Sequence, residues 1–88
     1  MNPNTKIDLW LKDGSNLKGW ILVSTDLKIS GSSLDLHALE RVDNAYVYTS
    51  GGNKIYRERV TGTIDILGAG LGGPLKLGLD QVDVMNAS

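Results

Sequence analysis

Residues suited to binding a partner are concentrated in one short segment of the 88-residue chain, Lys54-Ile55-Tyr56-Arg57-Glu58-Arg59. Tyr46 and Tyr48 precede it across a Gly51-Gly52 turn, so a hairpin would bring tyrosines opposite cations on the neighbouring strand. Arg and Tyr are enriched in protein interfaces and on surfaces that stack single-stranded nucleic acid. The pattern predicts a basic strand over 54–59 that binds a partner through Lys54, Tyr56, Arg57 and Arg59. The alternative is a solvated strand face whose cations are balanced by nearby carboxylates.

Two tryptophans form a second candidate. Trp10 shares its side of the first predicted strand with Asp8 and Lys12, opposite the apolar face. A large apolar group on a wet face indicates contact with another surface. The alternative is that Trp10 and Trp20 cover each other across the intervening hairpin turn. Both tryptophans are predicted to bind a partner.

Catalytic chemistry has no comparable support. His37 is the only histidine and there is no cysteine, which excludes a histidine cluster or thiolate site for a metal. The segment 68–73 has the G-x-G-x-x-G spacing of a dinucleotide-binding loop, but Leu75, Leu77 and Leu79 then alternate as in a strand, where that loop needs a helix. We therefore predict no enzymatic activity, no catalytic residue, no cofactor and no metal.

The elements that would position these residues are short strands. In the first, Ile7, Leu9 and Leu11 alternate with polar residues and Trp10, and a turn at 13–16 follows. Similar runs recur at 17–23, 27–29, 34–36, 46–49, 55–61, 63–67, 75–79 and 82–85, with a helical turn at 38–42. The sequence predicts an all-β protein.

The runs also recur in order, which predicts an internal repeat. Four pairs anchor the alignment: Leu17 with Ile55, Leu27 with Ile64, Leu34 with Leu75, and Val42 with Val82. The unit of about 40 residues is a strand meander, and two copies, 7–43 and 45–85, fill the chain. Closed on each other, they would form a small barrel or sandwich of roughly eight to ten short strands with a pseudo-twofold axis.

Size and charge narrow the possible partners. The length admits a single domain, 1–88, and a small core without Phe favours a homo-oligomer, a protein partner or both. A net charge of −1 disfavours nucleic acid as a partner. No apolar run is long enough for a membrane helix and no signal peptide is apparent, so we expect no membrane partner and a cytoplasmic protein or a component of a virion-type assembly.

The segment 7–21 resembles the opening strand pair of Sm-like small β-barrels, in which an apolar strand, a Gly turn and a second Gly recur. The resemblance covers this segment only and implies small-barrel geometry and ring formation. The residues that contact uridine in that family have no counterpart here, since Asp26 is followed by Leu27-Lys28-Ile29.

The sequence as a whole predicts a non-enzymatic β module that assembles with itself or binds a protein, such as a structural or interaction protein of viral or phage type. The alternative function is a nucleic-acid-binding small β-barrel that uses the basic strand 54–59.

Overall fold

The computed structural model describes residues 1–88 and confirms the all-β prediction. Nine strands make up the fold: β1 Thr5–Leu11, β2 Asn16–Ile29, β3 Ser32–Leu34, β4 Leu39–Val42, β5 Tyr46–Thr49, β6 Asn53–Tyr56, β7 Val60–Leu67, β8 Leu75–Gly78 and β9 Val82–Ala87. Three short 3₁₀ turns lie between strands, at Leu36–Ala38, Arg57–Arg59 and Leu79–Gln81. The structure contains no helix long and apolar enough to cross a membrane.

All strands belong to one antiparallel sheet in the order β6-β5-β4-β9-β1-β2-β7-β8, with β3 paired to β2. The sheet curls into a half-barrel, so the barrel-like geometry expected from the sequence is present. Hydrogen bonding does not close it, because β6 and β8 each have a strand neighbour on one side only. β6 and β8 are therefore the edge strands at the two ends of the sheet, and β3, which pairs only with β2, is a third strand with a single neighbour.

Two predicted strand boundaries are wrong for local reasons. The runs at 17–23 and 27–29 belong to one continuous strand, β2, which has a bulge between Leu22 and Ser24 and pairs with β7 on both sides of that bulge. The predicted strand 55–61 is interrupted, because Arg57–Arg59 forms a 3₁₀ turn between β6 and β7. There is accordingly no continuous basic strand over 54–59.

The core consists of 14 buried residues, all of them apolar. In β1 the alternation places Ile7 and Leu9 on the core side and Trp10 on the convex side. The fully buried side chains are Ile7, Leu9, Leu22, Leu27, Leu39, Ile64, Ile66, Met85, Val42, Val47 and Val82. Alternation thus separates a concave apolar face from a convex face that is open to solvent.

The unit of strand, 3₁₀ turn and strand occurs three times. In each case the first residue after the turn, Leu39, Val60 or Val82, is buried and donates its N–H to the carbonyl three residues earlier. Leu36 and Leu79 begin two of the turns, and Arg57 begins the third. An arginine therefore occupies a position where the other two turns carry leucine.

Candidate interaction surface

The β5–β6 hairpin brings the predicted tyrosines and cations together. Tyr46 lies opposite Tyr56, and Tyr48 lies opposite Lys54, across the turn that contains Gly51 and Gly52. Directly opposed residues project to the same side of a sheet. Since the alternate residue Val47 is buried in the core, these four side chains lie on the convex face.

The rings and cations of this face contact one another. The ring centroids of Tyr46 and Tyr56 are 5.4 Å apart, and those of Tyr46 and Tyr48 are 6.0 Å apart in an edge arrangement. Lys54 Nζ lies 4.4 Å from the Tyr46 centroid, and the Arg41 guanidinium lies 3.7 Å from the Tyr48 centroid. We call these five residues, from β4, β5 and β6, the tyrosine face.

Asp43 fixes the inner end of the tyrosine face. Its carboxylate accepts hydrogen bonds from the N–H groups of Ala45 and Tyr46 and from the Tyr48 hydroxyl at 2.8 Å, and lies 3.5 Å from Arg41 Nη1. Burial raises the pKa of Asp43, but these hydrogen bonds outweigh it and hold that pKa below its usual value. The hydrogen bond from the Tyr48 hydroxyl to Asp43, together with burial, raises the pKa of that hydroxyl. The Asp43 carboxylate is therefore an anion that orients the side chains of Tyr48 and Arg41.

At the outer end, the tyrosine face borders an open strand edge. The Arg57 N–H, directly after β6, donates to Ala45 O at 3.0 Å. Backbone groups alternate in direction along an antiparallel strand, so Asn53 and Ile55 turn theirs toward β5. The N–H and C=O of Lys54 consequently point away from the sheet, where β6 has no neighbour. Tyr56, exposed to 58%, stands beside this edge.

Arg57 does not project to solvent as a strand residue would. Its Nη1 donates to Asp43 O at 2.9 Å and to Asp83 O at 2.8 Å, while Nη2 donates to Leu79 O at 2.8 Å and to Val82 O. Burial lowers the pKa of Arg57, and the nearby carboxylates of Asp83, Asp43 and Asp80 act in the opposite direction. Its guanidinium joins the 3₁₀ turn after β6 to β9, so it has few donors left for a partner.

The other predicted site residues are spread over the surface. Arg59 is exposed at the end of the same turn and no carboxylate lies within 4 Å of it. Trp10 is half-buried on the convex side, opposite Asn16 and Val84. Trp20 lies opposite Ile7 on the core side, with its ring against Gly68. The two tryptophans therefore do not cover each other, and neither belongs to the tyrosine face.

Sequence reasoning missed Arg41 and Asp43 as members of this surface. Both come from β4 and the turn after it, and they reach the tyrosines through the pairing of Arg41 with Tyr48. The available signal was the Asp43-Asn44 turn before Tyr46, because Asp and Asn at such positions bind the backbone of the following residues.

The remaining candidate chemistry is dispersed. His37 is an exposed residue of the first 3₁₀ turn, with Nδ1 3.2 Å from Asn2 Oδ1. The glycine segment 68–73 lies in the loop that joins β7 to β8 as a hairpin, in agreement with the strand alternation after it. No group of three or more His, Cys, Asp or Glu side chains is placed to hold a metal ion.

Comparison of the chain with protein-family models, with curated proteins and with solved structures finds no match. The resemblance of 7–21 to Sm-like barrels thus stays a prediction.

Proposed function

We propose that this chain is a non-enzymatic β module that joins polypeptides by adding an extended segment of another chain to strand β6. The observation that carries the proposal is the unpaired Lys54 backbone at the sheet edge, directly beside the exposed ring of Tyr56. Addition of a strand to an open edge supplies affinity through main-chain hydrogen bonds and specificity through alternate side chains.

The tyrosine face suits such a role energetically. Tyr and Arg are over-represented among interface residues whose truncation costs most binding energy. The Tyr46, Tyr48 and Tyr56 rings are held by one another and by two cations, so little side-chain freedom remains to be lost on binding. A pre-ordered aromatic surface next to a free backbone edge favours a polypeptide partner.

The alternative, binding of single-stranded nucleic acid at the same rings, has weaker support. Arg57 gives its donors to backbone carbonyls, and Arg41 is paired with Asp43. With a net charge of −1 the chain also offers little long-range attraction to phosphates. Lys54 and Arg59 are the remaining cations of the predicted basic segment.

We also propose that the chain assembles with itself, through edge strand β8 rather than β6. Leu71 and Leu75, exposed to 42% and 43%, lie on the hairpin of edge strand β8. Lys76 of that strand lies 3.8 Å from Asp65 of the same chain, which offsets its charge. A homo-oligomer formed there would act in the cytoplasm or within a virion-type assembly.

The two-copy organisation stays a proposal, and the 3₁₀ turns support it only in part, because the strand–turn–strand unit occurs three times in the chain. Asp35 and Gly78 have nearly the same backbone angles, φ −67° with ψ 140° and φ −67° with ψ 144°, and each precedes a 3₁₀ turn. This equivalence matches Leu36 with Leu79, two residues further along than the sequence alignment of Leu34 with Leu75 implies.

Peptide selection tests the proposed function. Binders selected from a random linear peptide library against the folded chain are measured against Lys54→Pro and Lys54→Thr. Proline removes the outward N–H without breaking a bond to β5, whereas threonine retains it. We expect Lys54→Pro to lower affinity at least tenfold beyond the loss in Lys54→Thr.

Lys76→Pro is the matched control, because it removes an outward N–H from the other edge; Gly78 N–H, two residues on, is already turned toward Gln81 Oε1. It is expected to leave peptide affinity unchanged. Selected peptides that bind Lys54→Pro as well as they bind Lys54→Thr would overturn the proposal.

A further inference from the structure

The two sides of β6 specify which side chains an added strand must carry. Ile55 is half-buried against the core on the concave side, whereas Lys54 and Tyr56 project on the convex side. An added strand places its residues directly beside these three. The segment must therefore alternate, with an aliphatic residue next to Ile55 and convex residues that suit Lys54 and Tyr56.

Lys54 is the charged member of this edge and has no carboxylate partner. Its ammonium lies over the Tyr46 ring, and the two ion pairs of the protein, Arg41 with Asp43 and Lys76 with Asp65, do not include it. The ring accepts one face of the ammonium and leaves its remaining donors to solvent. A carboxylate on the neighbouring strand would complete its contacts.

A second copy of this chain meets that requirement poorly. The segment 53–59 carries Lys54, Arg57 and Arg59 against the single carboxylate Glu58. Pairing β6 with another β6 would bring two such segments together, and like charges directly opposed across strands are destabilising. Lysine on an edge strand is also a common device against pairing with identical copies.

We propose that β6 accepts an extended acidic segment, with a carboxylate beside Lys54, an aliphatic residue beside Ile55 and a β-branched or aromatic residue beside Tyr56. This inference rests on the proposed function and adds the chemistry of the partner. The charge of Lys54 favours an acidic over a basic segment, and the free backbone N–H and C=O groups of β6 form the hydrogen bonds to the added strand.

Two synthetic peptides test the charge preference. One is a capped nine-residue peptide in which Thr alternates with Val and the central residue is Glu in place of Thr, so that Glu, Val and Thr can lie beside Lys54, Ile55 and Tyr56; the other carries Lys in place of that Glu. We expect the acidic peptide to bind the intact chain at least tenfold more tightly than the basic one, and more weakly as salt rises from about 50 to 300 mM. Lys54→Glu is expected to reverse the preference, and Lys54→Thr to reduce it.

The outcomes separate this inference from the proposed function. Equal affinity for both peptides, or a preference unchanged in Lys54→Glu, overturns the acidic partner. If neutral selected peptides still lose affinity in Lys54→Pro, strand addition stands while the acidic preference fails. An acidic peptide that binds Lys54→Pro as tightly as Lys54→Thr overturns both. A single-stranded oligonucleotide that displaces the acidic peptide at lower concentration than the peptide itself requires also overturns the inference, in favour of nucleic acid.

Discussion

Replacing Arg57 with methionine should strongly destabilise the fold, although sequence alone assigns this residue to a binding surface. Methionine keeps the unbranched stem but removes every donor. Four backbone carbonyls, of Asp43, Asp83, Leu79 and Val82, then lose their partner. Three of these hydrogen bonds are partly buried, and the bond to Asp83 is exposed, so water can replace the guanidinium there.

The expected loss follows from these contacts. A hydrogen bond that involves a charged group contributes roughly 1.5 to 3 kcal/mol. Three bonds at the lower value give about 4.5 kcal/mol, and bonds made by one side chain do not add fully, so we expect a loss of about 3 to 4 kcal/mol. A protein of this size has an unfolding free energy of roughly 4 to 13 kcal/mol. The melting temperature should fall by at least about 12 °C.

Urea unfolding followed by tryptophan fluorescence and circular dichroism measures this loss. Arg59→Met is the matched control, since it makes the same change two residues away at an exposed position, and it should stay within about 0.5 kcal/mol of the unmodified chain. Arg57→Lys should fall between the two, because an ammonium lacks the planar fork that reaches four carbonyls. If Arg57→Met unfolds at the same urea concentration as Arg59→Met, the assignment of Arg57 to the fold is wrong.

Three further outcomes are expected. Gly62→Ala should destabilise the protein by more than about 2 kcal/mol, because Gly62 has φ +120° and an added Cβ would clash with the carbonyl oxygen of Asp26. Gly72→Ala, which has open space around it, should be neutral in the same denaturation assay. The free energy of unfolding should fall as the pH drops below 3.8, the ordinary pKa of Asp43. Because the pKa of Asp43 is lowered in the folded state, its contribution to stability is complete above the pKa of the unfolded chain and is lost as the carboxylate protonates. An Asp43→Asn variant should therefore show a shallower decline in melting temperature with falling pH. Sedimentation at micromolar concentration should show an oligomer, and Leu75→Asp should shift it toward a 9.5 kDa monomer; a monomer in both chains would exclude self-assembly through β8.

Local pattern was sufficient to predict most of the strands and the tyrosine–cation hairpin, but the helical turn predicted at 38–42 was wrong, since Leu39–Val42 forms strand β4. Alternation at Ile7 and Leu9 identifies the buried face of β1, and the Gly51-Gly52 turn fixes the register that sets Tyr48 opposite Lys54. These features depend on residues that are close in sequence. The folded protein retains them because the apolar residues that alternate along the sequence are the ones buried in the core.

The role of Arg57 could not be predicted in the same way. Its charge and its neighbours Lys54 and Arg59 indicate a solvated strand, whereas the carbonyls that hold it come from the β4–β5 turn, the last 3₁₀ turn and β9. Every residue has a backbone carbonyl, so the sequence does not indicate which carbonyls accept hydrogen bonds from Arg57. The contacts arise only when the sheet curls and brings Arg57 against carbonyls that lie 14 to 26 residues away along the chain.

Amide hydrogen exchange at Lys54, in the presence and absence of a selected peptide, tests strand addition at β6 most directly. Ile55 is the internal control, because its N–H already points toward β5. Strand addition predicts that the Lys54 amide exchanges rapidly in the free chain and becomes protected at least tenfold in the complex, while the Ile55 amide is protected in both. A saturated complex in which the Lys54 amide exchanges as fast as in the free chain would contradict it.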